Sequence, residues 1–278
     1  MLFLLAAPAL FDYNARAPLD IRTLSTEMRE GVEVRDISFA ATGSGRTMAY
    51  LVRPPARGRY AGVLFVHWYE PESKDSNRTQ FLQQAVELAK AGSVSLLIET
   101  MWSQPDWFPK RNRAEDYANS VKQVKELRRA LDVLLATPGV DRRRIGYVGH
   151  DFGAMYGAVL AGVDRRVKVW ALEAGTTSFS DWFLLGEKLD PAARAKVVED
   201  LAPLDPVRFV GMSSPAPVLF QFGRSDPYVP ENKARAFFAA AGEPREIRFY
   251  DAGHGLNAAA VQDRQAWLKV KLKLRPLE

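Results

Sequence analysis

The sequence predicts an α/β fold, a single domain organised on a mostly parallel, eight-stranded sheet with helices on both faces and a short helical lid. Two observations carry this. Short apolar, β-branched runs alternate along the chain with longer segments of helical period, the pattern of strands joined by crossover helices. The 278 residues are 47% hydrophobic and 26% charged, a globular balance that supplies a sizeable core without staples. No internal repeat, low-complexity tract or linker divides the chain.

In order, the candidate strands are Val32 to Ala40, Thr47 to Arg53, Ala61 to His67, Val94 to Glu99, Arg144 to Gly149, Val167 to Glu173, Val218 to Phe222 and Glu246 to Tyr250. The first two, separated by the turn "TGSGR", are expected to form an antiparallel hairpin at the sheet edge. "QFLQQAVELAKAG" reads as a helix closing on Gly92. The stretch "DYANSVKQVKELRRALDVLLATPG" puts Val121, Val124, Leu127, Leu131 and Leu134 on one helical stripe, ended by Pro138-Gly139. Pro230 opens a helix over "ENKARAFFAAAG", and Asn257 caps the last one. Some forty residues between the sixth and seventh strands interrupt the alternation, and these form the lid, at about 175–212 within a domain spanning 31–276.

Lys and Arg number 38 against 33 Asp and Glu, a net charge of +5, but the cations are scattered rather than gathered into a stripe with interleaved aromatics. Nucleic acid is therefore not an expected partner. The start "MLFLLAAPALF" has two readings: the tail of a secretory signal ending in Ala7-Pro8-Ala9, or an apolar arm (1–30) packed on the domain. The compartment stays open between cytoplasmic and periplasmic or secreted. Leu277-Glu278 reads as the remnant of a tag. No run is long enough to cross a membrane. The absence of cysteine excludes disulfides, thiolate metal sites and a cysteine nucleophile.

Chemistry concentrates at three strand ends. "YVGHDFGAMYG" follows an apolar strand and opens a helix, with Gly149 and Gly153 leaving room for a strained turn that lifts the middle side chain, Asp151, above the sheet. "FGRSDPYVP" ends the seventh strand and offers Asp226, while "YDAGHGL" ends the eighth and offers His254. The chain order is nucleophile, acid, histidine. Upstream, "FVHWYEPES" offers backbone N–H around Trp68 as one half of an oxyanion hole, with the N–H of Phe152 as the other. All three histidines, His67, His150 and His254, fall in these segments. His150 is expected to point away from the pocket, and His67 reads equally as pocket wall or core.

From Asp36 to Leu274 the chain resembles the α/β-hydrolase fold superfamily, more closely its dienelactone-hydrolase-like branch, with "VDRRRIGYVGHDFGAMYGAVLAG" as the most specific stretch. The resemblance implies a nucleophile at Asp151, an acid at Asp226, a base at His254 and an oxyanion turn at His67-Trp68. It implies no cofactor. The departure is Asp151, where that branch has Ser. Two other branches, haloalkane dehalogenases and epoxide hydrolases, do use Asp there, but usually follow it with Trp where this chain has Phe152.

A carboxylate attacking an ester would form a mixed anhydride, whereas attack on a saturated carbon leaves a stable alkyl ester that an activated water can cleave. The expected function is thus hydrolysis of a carbon–halogen or epoxide bond in a small molecule, by a monomer or homodimer without membrane attachment. Candidate pocket groups are His67, Trp68, Tyr69, Trp102, Trp107 and Trp182, with Lys110, Arg111 and Arg113 as a solvated basic loop able to meet a substrate carboxylate. Two alternatives are an ester or lactone hydrolase scaffold whose Ser is replaced by Asp, and a non-catalytic binding protein. A metal site built from Asp151 and the histidines lacks any ligand spacing.

Overall fold

A computed structural model describes residues 7–70, 72–73, 77–104 and 106–275, without the side chains of Ala7 and Pro8. Nine strands, in order β1-β2-β3-β5-β4-β6-β7-β8-β9, make one sheet: β1 (Arg22–Arg29), β2 (Val32–Ala40), β3 (Arg46–Arg53), β4 (Tyr60–Val66), β5 (Ser93–Ile98), β6 (Val140–His150), β7 (Val169–Glu173), β8 (Val218–Gly223) and β9 (Arg245–Tyr250). From β5 across to β9 every pairing is parallel, and β1, β2 and β3 add antiparallel strands on one side. The α/β-hydrolase fold is the result.

The hairpin of β2 and β3 forms as expected but is not the sheet edge. β1 lies outside it, so the strand count is nine rather than eight. The reason is visible in "RTLSTEMR": seven of its eight residues are exposed, so neither face carries the alternation that marks a half-buried strand. Central strands show the opposite pattern. β4, β5, β7 and β8 are buried throughout, because helices cover both faces.

One face is covered by α2 (Leu82–Lys90) and α9 (Ala258–Lys271), which build a core with Phe65, Val148 and Leu219. Helices α4 (Asp116–Ala136), α5 (Phe152–Val163) and α8 (Glu231–Ala240) cover the other, α3 (Trp107–Lys110) being a single turn before α4. All five apolar residues of the predicted α4 stripe are buried. Asn257 caps α9, its side chain accepting from Ala260 N–H at 3.1 Å.

A helical turn, α1 (Ala7–Leu10), precedes Phe11, which is fully buried. Arg128 and Arg129 of α4 hold the carbonyls of Phe11 and Pro18 at 2.7 and 2.6 Å, strapping residues 11–20 to the domain. The apolar residues 1–6 and the terminal Leu277-Glu278 lie outside the described residues. Between β7 and β8 the lid consists of α6 (Ser180–Phe183), α7 (Pro191–Leu201) and three 3₁₀ turns. Among the described residues no helix is long and apolar enough to cross a membrane.

Candidate active site

The site stands on the turn between β6 and α5. Asp151 has φ 57° and ψ −119°, a left-handed conformation a non-glycine residue holds only where its surroundings enforce it. The enforcement is steric. A Cβ on Gly149 would sit 2.4 Å from the Gly153 carbonyl, and one on Gly153 would sit 2.1 Å from the Val66 carbonyl, so both positions require glycine for the turn to close. Asp151 N–H donates to the Glu173 carbonyl at 2.9 Å, tying the turn to the end of β7.

The two Asp151 oxygens meet different surroundings. Oδ2 accepts the backbone N–H of Tyr69 at 3.3 Å, and the neighbouring Phe152 N–H also favours the charged carboxylate. Oδ1 is buried and has no hydrogen-bond partner among the described residues. The side chain is nearly sealed, with Asp151 only 4% exposed. That burial pushes its pKa up to about 7, against the opposing pull of His254 and the two N–H donors.

His254, on the loop after β9, donates from Nδ1 to Asp226 Oδ2 at 2.8 Å. The other Asp226 oxygen accepts the N–H groups of Tyr228 and Val229 at 2.8 and 3.1 Å, so this carboxylate is oriented from both sides. Burial works to lower the His254 pKa, but the Asp226 hydrogen bond and the charges of Asp151 and Asp226 outweigh it, and the net direction is up. The three strand ends therefore bring Asp151, Asp226 and His254 together.

The oxyanion turn needs a correction of one residue. Trp68 N–H is not available, because it donates to Gln80 Oε1 at 2.9 Å; the N–H aimed at Asp151 is that of Tyr69. The Trp68 ring packs between Phe81 and His150 on the far side of the sheet from the lid. Two further expected pocket residues, His67 and Trp102, lie behind the site. His67 is buried, with Nδ1 donating to the Trp68 carbonyl at 2.8 Å and Nε2 accepting from Ser103 Oγ at 2.8 Å. Trp102 is fully buried, gives its N–H to the His67 carbonyl at 3.2 Å and stacks on Phe152 and Tyr156. They brace the turn that carries Tyr69 and do not line a pocket.

Trp182 belongs to the site. Its ring lies edge-on to His254 at 5.2 Å and beside Phe152 at 6.2 Å. Its indole N–H is buried without a partner among the described residues. Tyr69 and Trp107 pack together at 5.8 Å and continue this aromatic wall, and Trp107 touches Phe152 edge-on. Sequence reading missed Tyr228, whose ring packs against both His254 and Trp182; its place two residues after Asp226 in "SDPYVP" was the available signal.

The basic loop is not uniformly solvated. Lys110 is exposed and pairs with Asp106, and Arg113 pairs with Glu187. Arg111 is 3% exposed, pairs with Asp116 and Glu187, and donates to the Phe183 carbonyl at 2.5 Å. Its charge is spent fastening the lid to the body, so it offers nothing to a substrate carboxylate. Among the described residues no group of three or more His, Asp or Glu side chains is arranged to hold a metal ion.

No protein-family model and no curated protein matches the chain. Solved structures do. Acetyl xylan esterase 1 from Thermoanaerobacterium sp. JW/SL YS485 superposes with a TM-score of 0.80 at 17% identity, covering 97% of this chain and 93% of its own. A protein assigned as a dienelactone hydrolase from Klebsiella pneumoniae subsp. pneumoniae MGH 78578 gives 0.64 at 16%, covering 87% and 98%. The α/β hydrolase GrgF from Penicillium sp. sh18 gives 0.64 at 16%, covering 86% and 99%. At these identities the likeness is one of fold, and it bears out the fold-level resemblance read from the sequence.

Proposed function

We propose that the protein is a hydrolase in which Asp151 attacks an electrophilic saturated carbon and forms an alkyl-enzyme ester that His254 and water then cleave. One observation carries this reading: the Asp151 carboxylate has Oδ2 on the Tyr69 backbone N–H and the other oxygen, Oδ1, buried and without a partner among the described residues. Oδ1 forms the new C–O bond as the leaving group departs with its electron pair. His254, oriented by Asp226, next takes a proton from water, and the resulting hydroxide adds to the Asp151 carboxyl carbon. The developing oxyanion falls on Oδ2, on the N–H groups of Tyr69 and Phe152. Collapse expels the alkoxide, which takes the proton back from His254 and leaves as the alcohol; the water's second proton, left on the new Asp151 carboxyl, passes to solvent and restores the carboxylate.

Of the two electrophile classes, a carbon–halogen bond is the better matched. The unpartnered Trp182 N–H is suited to solvating a departing halide, whereas an epoxide oxygen must acquire a proton that an indole does not surrender. The aromatic wall of Trp182, Tyr69, Trp107 and Tyr228, with Arg111 committed elsewhere, favours a small, uncharged, apolar substrate.

A second reading has one observation in its favour: the names of the structurally similar proteins include an acetyl xylan esterase. On it, the scaffold is that of an ester hydrolase with Asp151 in the place of Ser. Both readings are tested by incubating His254→Asn with 1-bromobutane, styrene oxide or 4-nitrophenyl acetate and recording the intact mass, then mapping the peptides. The expected result is a butyl adduct on Asp151. Absence of any alkyl adduct, with nitrophenyl-ester hydrolysis appearing in Asp151→Ser, would establish the second reading instead.

A further inference from the structure

Behind the site lies a buried polar layer that the proposed chemistry does not use. Glu173 and Arg264 pair at 2.7 Å, and both are almost completely buried. Arg264 also donates to Gln221 at 2.7 Å and Gln84 at 2.5 Å, and Gln221 donates to the Tyr250 hydroxyl, which donates to Asp263. His150 borders this layer, 1% exposed, with Nδ1 3.9 Å from Glu173 Oε2 and its ring between those of Trp68 and His254.

His150 Nε2 lies 2.9 Å from the backbone carbonyl of His254. A carbonyl only accepts, so the proton is on Nε2 and the Nδ1 lone pair faces Glu173. Burial, together with the charges of His254 and Arg264, drives the His150 pKa well down and keeps the ring neutral with this single N–H. The loop receiving the bond runs over the surface: residues 251–257 are exposed or half-buried, and His254 is flanked by Gly253 and Gly255. Its ties to the β8 end are the His254–Asp226 bond at 2.8 Å, Ser225 N–H to the Ala252 carbonyl at 3.0 Å and the Arg224–Asp251 ion pair at 3.5 Å. At the same strand ends, the Glu173 carbonyl holds Asp151 N–H. Two adjacent residues of the elbow are thus held by different segments, the Asp151 backbone by β7 and the His150 side chain by the histidine loop.

We infer that His150 is a positioning residue: its Nε2–H fixes the backbone of His254, setting the depth at which the imidazole meets both Asp226 and the ester carbon of Asp151, with the Glu173–Arg264 pair as the rigid wall behind it. The inference rests on the reading of His254 as the base of the second step. That step alone should feel His150, since alkylation of Asp151 needs no base.

The test compares three variants. His150→Gln keeps a side-chain N–H at similar reach, His150→Phe keeps ring shape without a donor, and His150→Asn keeps an amide too short to reach the carbonyl. With 1-bromobutane, rapid-quench mass spectrometry separates alkylation from hydrolysis. His150→Phe and His150→Asn are expected to slow hydrolysis at least about tenfold, with alkylation within about threefold of the parent, and His150→Gln is expected to recover most of the loss. A second readout needs no substrate: hydrogen exchange of the His254 Nδ1–H, followed by nitrogen-15 NMR, should quicken about tenfold in the Phe and Asn variants and not in Gln. If no probe alkylates Asp151 but the exchange pattern holds, the proposed chemistry fails and the positioning role stands. Equal hydrolysis and exchange in all three variants, or a loss in Gln matching that in Phe, would overturn the inference. Should the Phe variant not fold, the Asn and Gln pair carries the same comparison.

Discussion

Nδ1 of His254 donates to one oxygen of Asp226 at 2.8 Å while the other oxygen is held by the N–H groups of Tyr228 and Val229. This fixes the imidazole tautomer with Nε2 free to accept a proton. Asp226→Asn would favour the opposite tautomer without changing shape. The expected outcome is a fall in turnover on the order of 10³- to 10⁴-fold with an intact fold, read from steady-state kinetics and circular dichroism. A loss under tenfold would remove Asp226 from the catalytic set.

In the proposed mechanism Asp151 attacks as the carboxylate, and its pKa is raised to about 7. The acid limb of the alkylation rate should therefore lie near pH 7, with the rate at pH 6 about a tenth of that at pH 8.5. His254, whose pKa is also raised, must be neutral for the second step, so hydrolysis rises with pH as well. A single-turnover pH profile flat between pH 5 and 8.5 would contradict the buried-carboxylate reading.

The same burial ties stability to pH. Asp151 and Glu173 both have pKa values raised to about 7, from 3.8 and 4.5, by burial. Between roughly pH 4 and 7 the folded protein holds protons on these groups that the unfolded chain has released, so stability falls as pH rises through that window. Moving a carboxyl from 3.8 to about 7 corresponds to about 4 kcal/mol. Asp151→Asn should therefore be the more stable protein at pH 8, while showing little difference at pH 4; denaturant unfolding at the two values checks this.

Trp182→Phe retains the ring against His254 and deletes an indole N–H that has no partner among the described residues. Removing an unsatisfied buried donor should leave stability within about 1 kcal/mol of the parent. Alkylation by 1-bromobutane should slow about 10- to 100-fold, because halide departure loses its donor. Unchanged alkylation accompanied by lost stability would make Trp182 a packing residue only.

Arg111 pairs with Asp116 and Glu187 and holds the Phe183 carbonyl. Arg111→Met leaves the shielded Asp116 carboxylate unpaired, while Glu187 keeps Arg113, and is expected to cost about 3 kcal/mol. Limited proteolysis should then cut within residues 185–190, where the lid is exposed or half-buried. Equal protease resistance in parent and variant would count against a fastening role.

Much of this molecule was legible before any coordinates. The alternation of apolar runs with helical stripes, the glycines of "GHDFGAMYG" and the order of Asp151, Asp226 and His254 are local signals, because backbone geometry and strand burial leave residue-level patterns. β1 escaped because an outer strand exposed on both faces has no such pattern. That the N–H of Tyr69 rather than Trp68 reaches Asp151 was decided by Gln80, twelve residues from Trp68, which takes the Trp68 N–H. The burial of His67 and Trp102, the fastening of Arg111 to Glu187 and the layer of His150, Glu173 and Arg264 likewise join residues distant in sequence. The sequence by itself determined eight of the nine strands along the chain and which three groups stand at the strand ends. Only tertiary packing decided which N–H groups, rings and charges face them, since each polar group takes the partner that folding brings within about 3 Å, and no periodicity in the chain records that choice.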